Sequence, residues 1–197
     1  MIRSVYFLSC ALLLFSCSAG KISGKYYLEH EAALDSMETS YKKLYEIKPF
    51  TIAFTDREFE TVEMEIVTDS VSYIYEFGIK EKRLQDTLHK YGIASKPVEQ
   101  LIGQMQRVRC AWINNSDYYV NNKEQRLIFI SIKPVKFRWP FTPAKYYILA
   151  YFFQKQFYDG NGHLLDKRRS RRLRKINGQV FTRITDRVSY TVSEKFR

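Results

Sequence analysis

The chain has 197 residues, of which 45% are hydrophobic and 27% charged, a balance typical of a folded globular protein and not of a disordered one. The net charge of +11 is unevenly distributed, because residues 17–76 carry a net −6 and residues 77–197 a net +16. Aromatic residues make up 16% of the chain, and such side chains favour the half-buried surfaces of β-sheets. The length suits one domain with a sizeable core.

The first sixteen residues have the features of a targeting segment. Arg3 supplies a positive charge, and residues 5–15 are apolar except for one serine and one cysteine. These eleven residues would make about 16 Å of helix, roughly half of the hydrocarbon core of a bilayer. The pattern therefore favours a signal peptide over residues 1–16 that is removed, and not a stable transmembrane span.

The apolar run ends in Leu14-Phe15-Ser16-Cys17, which resembles the lipobox of bacterial lipoproteins. The resemblance implies cleavage before Cys17 and a diacylglyceryl thioether on that residue, with an additional, amide-linked acyl chain such as palmitate. Two or more chains make membrane anchoring effectively stable. The residues after Cys17 are not acidic, which favours a periplasm-facing position in the cell envelope over export to the cell surface.

The sequence after the lipobox predicts a tether, a helix, a short strand and a hairpin, followed by two further helices. Residues 17–27 form the tether, which spans at most roughly 35 Å. Apolar residues at spacings of three and four predict a helix over residues 28–47. A short strand at 51–54 precedes two alternating segments, 61–67 and 71–77, which predict a hairpin with one solvent-exposed face.

Two short helices follow, and the rest of the chain has the patterning of strands. The first helix covers residues 80–91 and ends at Gly92, and the second is capped by Ser95 and has an apolar stripe from Val98 to Val108. Strands are predicted at 109–113, 117–121, 126–133, 145–158 and 179–193, with turns at Asn114-Asn115-Ser116 and Asn121-Asn122.

This order of elements predicts a single α+β domain over residues 28–197. We expect an antiparallel meander sheet with about three helices packed on one face. The strongest hairpin signal is Asn177-Gly178, because this pair supplies the two positive φ angles of a type I′ turn. Leu173 to Ile176 should therefore pair with Gln179 to Thr182.

The densest charge in the chain is a run of seven basic residues among nine, which we call the basic run: Lys167, Arg168, Arg169, Arg171, Arg172, Arg174 and Lys175. In the cytosol such a run would indicate nucleic acid, but outside the inner membrane the available polyanions are phospholipid headgroups, lipopolysaccharide, cell-wall carboxylates and acidic proteins. The alternative is a solvated loop or strand face, partly neutralised by the acidic first third of the chain. We expect alternate arginines to be exposed on either side of a strand.

No catalytic, metal-binding or cofactor-binding motif is present, and no such residue is predicted. Cys110 is expected to be a buried apolar side chain, although a nucleophilic pair with His163 or His89 stays open as an alternative. Residues 159–163 resemble the start of a calcium-binding loop. The glycine of the sixth loop position is replaced by Leu164, and there is no glutamate at the twelfth position, which favours an ordinary turn. Residues 139–143 form an apolar, proline-framed loop, either a contact site or a packed crossover.

Two functional hypotheses follow from these observations. The first is a membrane-anchored envelope lipoprotein of non-enzymatic binding or accessory type. It would use its basic C-terminal half on anionic lipid, lipopolysaccharide or an acidic protein partner, and would bind no nucleic acid. The second is a hydrolase-like periplasmic enzyme whose site has no recognisable pattern. A concave pocket that joins Cys110, a histidine and an acidic residue would favour the enzyme.

Overall fold

A computed structural model describes residues 18–120, 123–132 and 146–193. The helices are α1 (Ser18–Ile47), α2 (Lys82–Lys90) and α3 (Ser95–Arg107). The strands are β1 (Phe50–Phe54), β2 (Thr61–Val67), β3 (Ser72–Gly78), β4 (Cys110–Val120), β5 (Lys123–Ile132), β6 (Tyr146–Phe152), β7 (Lys175–Ile176), β8 (Gln179–Val180), β9 (Thr182–Arg183) and β10 (Val188–Ser193).

The domain is built on one antiparallel sheet of eight strands in the order β3-β2-β1-β4-β5-β6-β10-β9, and β7 and β8 form a separate two-stranded hairpin. The three helices pack against one face of the large sheet, which we call the helix-covered face. The predicted α+β class and the single helical layer are confirmed. The sheet is a meander only in part, because β1 inserts between β2 and β4.

The helix-covered face holds the larger apolar core. Leu34, Met37 and Tyr41 of α1 are fully buried there, as are the predicted stripe of α3 and the inward residues of β1 and β2. The Tyr41 hydroxyl donates to the carbonyl oxygen of Phe50 at 2.5 Å and accepts from the backbone N–H of Asn115 at 3.1 Å. This side chain therefore ties α1 to both β1 and β4.

Helix α1 begins ten residues earlier than the sequence pattern indicates. Residues 18–27, predicted as a tether, are helical, and within them Ser23 and Tyr27 are buried. The Tyr26 hydroxyl donates to the carbonyl oxygen of Val108. A Cβ atom on Gly20 would lie 2.6 Å from the Tyr190 hydroxyl, so the helix approaches β10 closely at this glycine. Glycine and serine lower intrinsic helix propensity, and packing against the sheet compensates for them here.

Strand β4 is longer than predicted. The turn expected at Asn114-Asn115-Ser116 does not form, because β4 pairs with β5 along its whole length and with β1 on its other side. Asn114 is accommodated within the strand by a hydrogen bond from the Thr51 hydroxyl at 2.9 Å. In α3, Ser95 is the first helical residue and the N-cap is Ala94, which makes no side-chain capping bond.

The opposite face of the sheet, which we call the outer face, is covered in part by the segment 153–187, which we call the cover segment and which also contributes the edge strand β9. Strand β6 ends at Phe152 instead of continuing to residue 158, and the chain then folds back over β4, β5, β6 and β10. Leu164, Ile176 and Phe181 bury their side chains against this face. The predicted long strand at 179–193 is accordingly divided into β8, β9 and β10.

Candidate functional site

The basic run lies in the cover segment, on the outer face of the sheet. Residues 167–172, the basic turn, form a turn and not a strand: the Ser170 N–H donates to the Lys167 carbonyl at 2.9 Å, and the Arg172 N–H donates to the Ser170 hydroxyl at 3.0 Å. Strand β7 begins only at Lys175. The expected alternation of arginines along a strand is therefore wrong, because residues 167–172 lie in a turn in which every basic side chain is exposed.

Six of the seven basic residues are exposed. This suits charges that repel one another, because moving a charged group out of water is unfavourable. The exposed residues are Lys167, Arg168, Arg169, Arg171, Arg172 and Lys175. The side chain of Arg172 is 86% exposed and lies 3.5 Å from the carboxylate of Asp166. A surface ion pair of this kind contributes little to stability, and the turn retains a strong local positive charge.

Arg174 is the exception, since its side chain is only 9% exposed. Its guanidinium donates to the Gln156 side-chain oxygen at 2.9 Å and to the Asp166 carbonyl, and it lies 3.7 Å from the Asp166 carboxylate. It also lies 5.8 Å from the centre of the Tyr118 ring. These partners occupy the guanidinium, so Arg174 anchors the turn and is not available to an external anion, contrary to its predicted place in the binding set.

The two ends of the basic turn are held together by backbone contacts. The Asp166 N–H donates to the Arg172 carbonyl at 3.2 Å, and Leu165 forms an isolated antiparallel β-bridge with Leu173. The Arg174 N–H donates to the Leu164 carbonyl at 2.8 Å. Because the base of the turn is closed in this way, the exposed cations are displayed on a short, constrained loop.

Sequence patterning did not identify the residues beneath the turn. The Tyr118 hydroxyl donates to Gln125 at 2.7 Å and accepts from the Gln156 amide at 3.3 Å. Burial raises the pKa of Tyr118, and the nearby Arg174 charge partly opposes that shift. Tyr118 and Gln156 are 38 residues apart in the chain, so only the folding of the cover segment onto β4 brings them together.

The Asn177-Gly178 hairpin is confirmed. Both residues have positive φ angles, 51° and 76°, and β7 pairs with β8 through Lys175–Val180 and Ile176–Gln179. The paired region is shorter than predicted, since Leu173 and Thr182 bond elsewhere. The hairpin fixes the direction in which the chain leaves the basic run.

Residues 159–163 form a turn, as predicted. The Asp159 carboxylate accepts from the backbone N–H groups of Asn161 at 2.9 Å and His163 at 2.7 Å, and these bonds lower its pKa. It also lies 3.4 Å from Nδ1 of His163. His163 borders an open groove of about 480 Å³, which Lys175 and Tyr190 help to line. The imidazole of His163, held next to the Asp159 carboxylate, therefore faces this groove.

Cys110 lies in the helix-covered core and is fully buried. Desolvation raises the pKa of its thiol to about 12. His163 belongs to the cover segment on the other face of the sheet, and His89 is exposed on α2. A pocket that joins the thiol to a histidine and an acidic residue would need Cys110 to be accessible, which it is not. The structure thus gives no support to the nucleophilic pair.

Several predictions fall on residues outside the described part of the chain: the lipidation site Cys17, the turn at Asn121-Asn122 and the loop at 139–143. Within the described residues, no cluster of three or more His, Cys, Asp or Glu side chains is arranged to hold a metal ion. In the same part of the chain, every helix is too short or too polar to cross a bilayer.

Comparison of the chain with protein-family models, with curated proteins and with solved structures found no match. The function must therefore be argued from the site itself.

Proposed function

We propose that this protein is a lipid-anchored, non-enzymatic binding module of the bacterial cell envelope, which binds an anionic surface through the basic turn. The observation that carries the proposal is the concentration of five exposed cations in six residues, 167–172. The turn is closed at its base by Arg174 and Asp166. The anchor would be the acylated Cys17, which follows from the lipobox-like segment, and the domain would face the periplasm.

The chemistry of the turn fits phosphate-bearing lipid headgroups, including those of phospholipids and lipopolysaccharide. Each basic residue close to an anionic bilayer contributes about 1 kcal/mol of binding free energy. Arginine forks suit phosphate oxygens because they donate two hydrogen bonds in one plane. A binding role needs no cofactor. An acidic protein is the alternative partner, and the experiment below distinguishes it from an anionic lipid surface.

Vesicle binding tests the proposal. The lipid-free domain, residues 18–197, should sediment with vesicles that contain phosphatidylglycerol and not with vesicles of phosphatidylcholine alone. Binding should weaken with salt, since the screening length falls to about 8 Å at physiological ionic strength. Replacing Arg168, Arg169, Arg171 and Arg172 with Gln should abolish most of the binding without lowering the melting temperature.

A second variant controls for net charge. Lys43, Lys82 and Lys96 are exposed on the three helices, and Lys80 is exposed in the turn before α2. Replacing all four with Gln removes the same number of charges. This lysine variant should bind nearly as well as the wild type. Equal losses in the two variants would show that overall charge, and not the basic turn, drives binding. No binding by the wild-type domain at low salt would point to an acidic protein.

The anchor is tested separately. Cys17→Ser should leave an unprocessed, unacylated precursor, detected by a mass higher than that of the mature protein and by the absence of incorporated radiolabelled palmitate. A Cys17→Ser protein that is cleaved and released as efficiently as the wild type would contradict the lipoprotein assignment.

A further inference from the structure

The start of α1 fixes how the domain would sit on its anchor. The helix begins at Ser18, one residue after Cys17, and its first turns are packed into the domain through Ser23, Tyr26 and Tyr27. A flexible tether would let the domain turn its basic side towards its own membrane. Within the described residues, no such tether lies between Ser18 and the packed part of α1.

The basic turn lies on the opposite side of the sheet from α1. Helix α1 packs on the helix-covered face, whereas Arg174 and the turn belong to the cover segment on the outer face. The two are also offset along β4. Tyr26 bonds to Val108, just before β4, and Arg174 packs on Tyr118, near its other end. Gly20, nearer the start of α1, approaches Tyr190 of β10, which aligns through Leu149 and Ile130 with Ile113 of β4. About five residues of strand, roughly 17 Å, therefore separate it from Tyr118 along the strand direction.

The first turns of α1 expose apolar side chains, unlike the basic turn. Ile22 and Leu28 project their apolar side chains into solvent, and Leu28 is 71% exposed. Lys25 lies between them and pairs with Glu29 at 3.6 Å. Apolar side chains with a lysine beside them suit contact with the interface of a bilayer. The side of the domain nearest the anchor is therefore compatible with the anchoring membrane without any contribution from the basic turn.

We infer that the basic turn acts in trans: it binds a phosphate-bearing lipid surface that faces the membrane holding Cys17, and the protein thereby bridges two surfaces. The inference rests on the proposed anchoring and anion binding. Its basis is distance, because the sheet and the offset along the strands keep the turn farther from the start of α1 than the screening length of about 8 Å. Lipid within reach of the turn must then belong to another surface.

The mature, lipidated protein tests this in two vesicle populations. Reconstituted into phosphatidylcholine vesicles, it should cluster added vesicles that contain phosphatidylglycerol, seen as a rise in light scattering and as co-flotation. Added phosphatidylcholine vesicles should not cluster. The quadruple Gln variant of Arg168, Arg169, Arg171 and Arg172 should lose the effect, and the lysine variant should retain it. An absence of clustering by wild type whose lipid-free domain binds the same vesicles would overturn the inference.

Protease access distinguishes the two orientations directly. The lipidated protein is placed in dilute phosphatidylglycerol vesicles, where contacts between vesicles are rare, and tryptic cleavage within residues 167–172 is followed by mass spectrometry. Cleavage should proceed within about twofold of its rate in phosphatidylcholine vesicles. Protection of tenfold or more would show that the turn binds its own membrane and would overturn the inference while leaving the proposed function intact.

A spacer variant provides the positive control. Ten Gly and Ser residues inserted between Cys17 and Ser18 restore the freedom that the packed helix removes. This variant should become protected in phosphatidylglycerol vesicles and should lose clustering of added vesicles when its own membrane is anionic. Identical behaviour of the spacer variant and the wild type, with both protected, would count against a fixed orientation.

Discussion

The two faces of the eight-stranded sheet are closed in different ways. The helix-covered face is filled by three helices whose buried residues are almost all apolar. The outer face is covered only in part, by an irregular segment that relies on Leu164, Ile176 and Phe181 and on the buried guanidinium of Arg174. Over β2 and β3 the outer face carries the exposed side chains of Ile74 and Glu76, and the described part of the cover segment does not bury them.

Under the proposed function, this difference would separate stability from binding. Burial of apolar surface is non-directional and contributes most of the free energy of folding, so the helix-covered face can hold the sheet together without specific polar contacts. The cover segment depends on directional bonds and on three positive φ angles, at Gly162, Asn177 and Gly178, which position a loop that carries charge. Binding residues are commonly found on loops held by a rigid scaffold, and the outer face has that arrangement.

The largest expected effect concerns the helix-covered face. Burial raises the pKa of the Cys110 thiol from 9.0 to about 12, and only the thiolate is alkylated. At pH 8, iodoacetamide should therefore modify the folded domain, residues 18–197, about a thousandfold more slowly than the urea-unfolded chain on ionisation alone. Mass spectrometry of timed samples measures both rates. Comparable rates would mean that this face opens readily and is not the stable side.

Loss of the anchor under the basic turn should be the next largest effect. Arg174→Met leaves the Gln156 side chain and the Asp166 carbonyl without their charged donor, which should cost about 2–3 kcal/mol in the free energy of unfolding. Urea denaturation measures it. Arg172→Gln, which changes an exposed neighbour, should stay within about 0.5 kcal/mol of wild type. Equal stability of Arg174→Met and wild type would show that the hydrogen bonds of Arg174 do not stabilise the cover segment.

The hairpin of the cover segment should be sensitive to backbone strain. Gly178→Val forces a β-branched residue into a positive φ of 76° and should destabilise the domain by about 1–3 kcal/mol. Gly160→Val is the matched control, because a Cβ atom at Gly160 meets nothing within 4 Å and its φ is not positive. Thermal unfolding of the two variants should separate them clearly, and an equal melting temperature would argue against strain at Gly178.

The smallest effect is expected on the open part of the outer face. Glu63 and Glu76 are directly opposed on β2 and β3, and like charges in that position destabilise a sheet. Glu76→Gln removes the repulsion and keeps an acceptor for the Thr55 hydroxyl. We expect a gain of about 0.5 kcal/mol at low salt that shrinks as salt is added. Glu58→Gln, which removes an exposed carboxylate outside the sheet, should give no comparable gain.

Local patterning predicted the elements whose residues contact close neighbours in the chain. The β2–β3 hairpin followed from strict alternation, the stripe of α3 from its spacing, and the β7–β8 turn from Asn177-Gly178. Helix α1 and strand β4 were misjudged because the deciding contacts are distant in sequence. Tyr26 bonds to Val108, and Tyr41 bonds to Asn115, so weak helix formers and a turn-like sequence were overridden by packing.

The sequence by itself determined the α+β class, the charge of the basic run and the expected lipid anchor, since each depends on composition or on residues adjacent in the chain. Tertiary structure alone decided that residues 18–27 are a packed helix, that Arg174 is buried while its basic neighbours are exposed, and that the basic turn and α1 lie on opposite faces. The physical reason is that burial and relative orientation depend on which distant segments pack together. A run of like charges carries no information about which of its members will find hydrogen-bond partners 8 and 18 residues away.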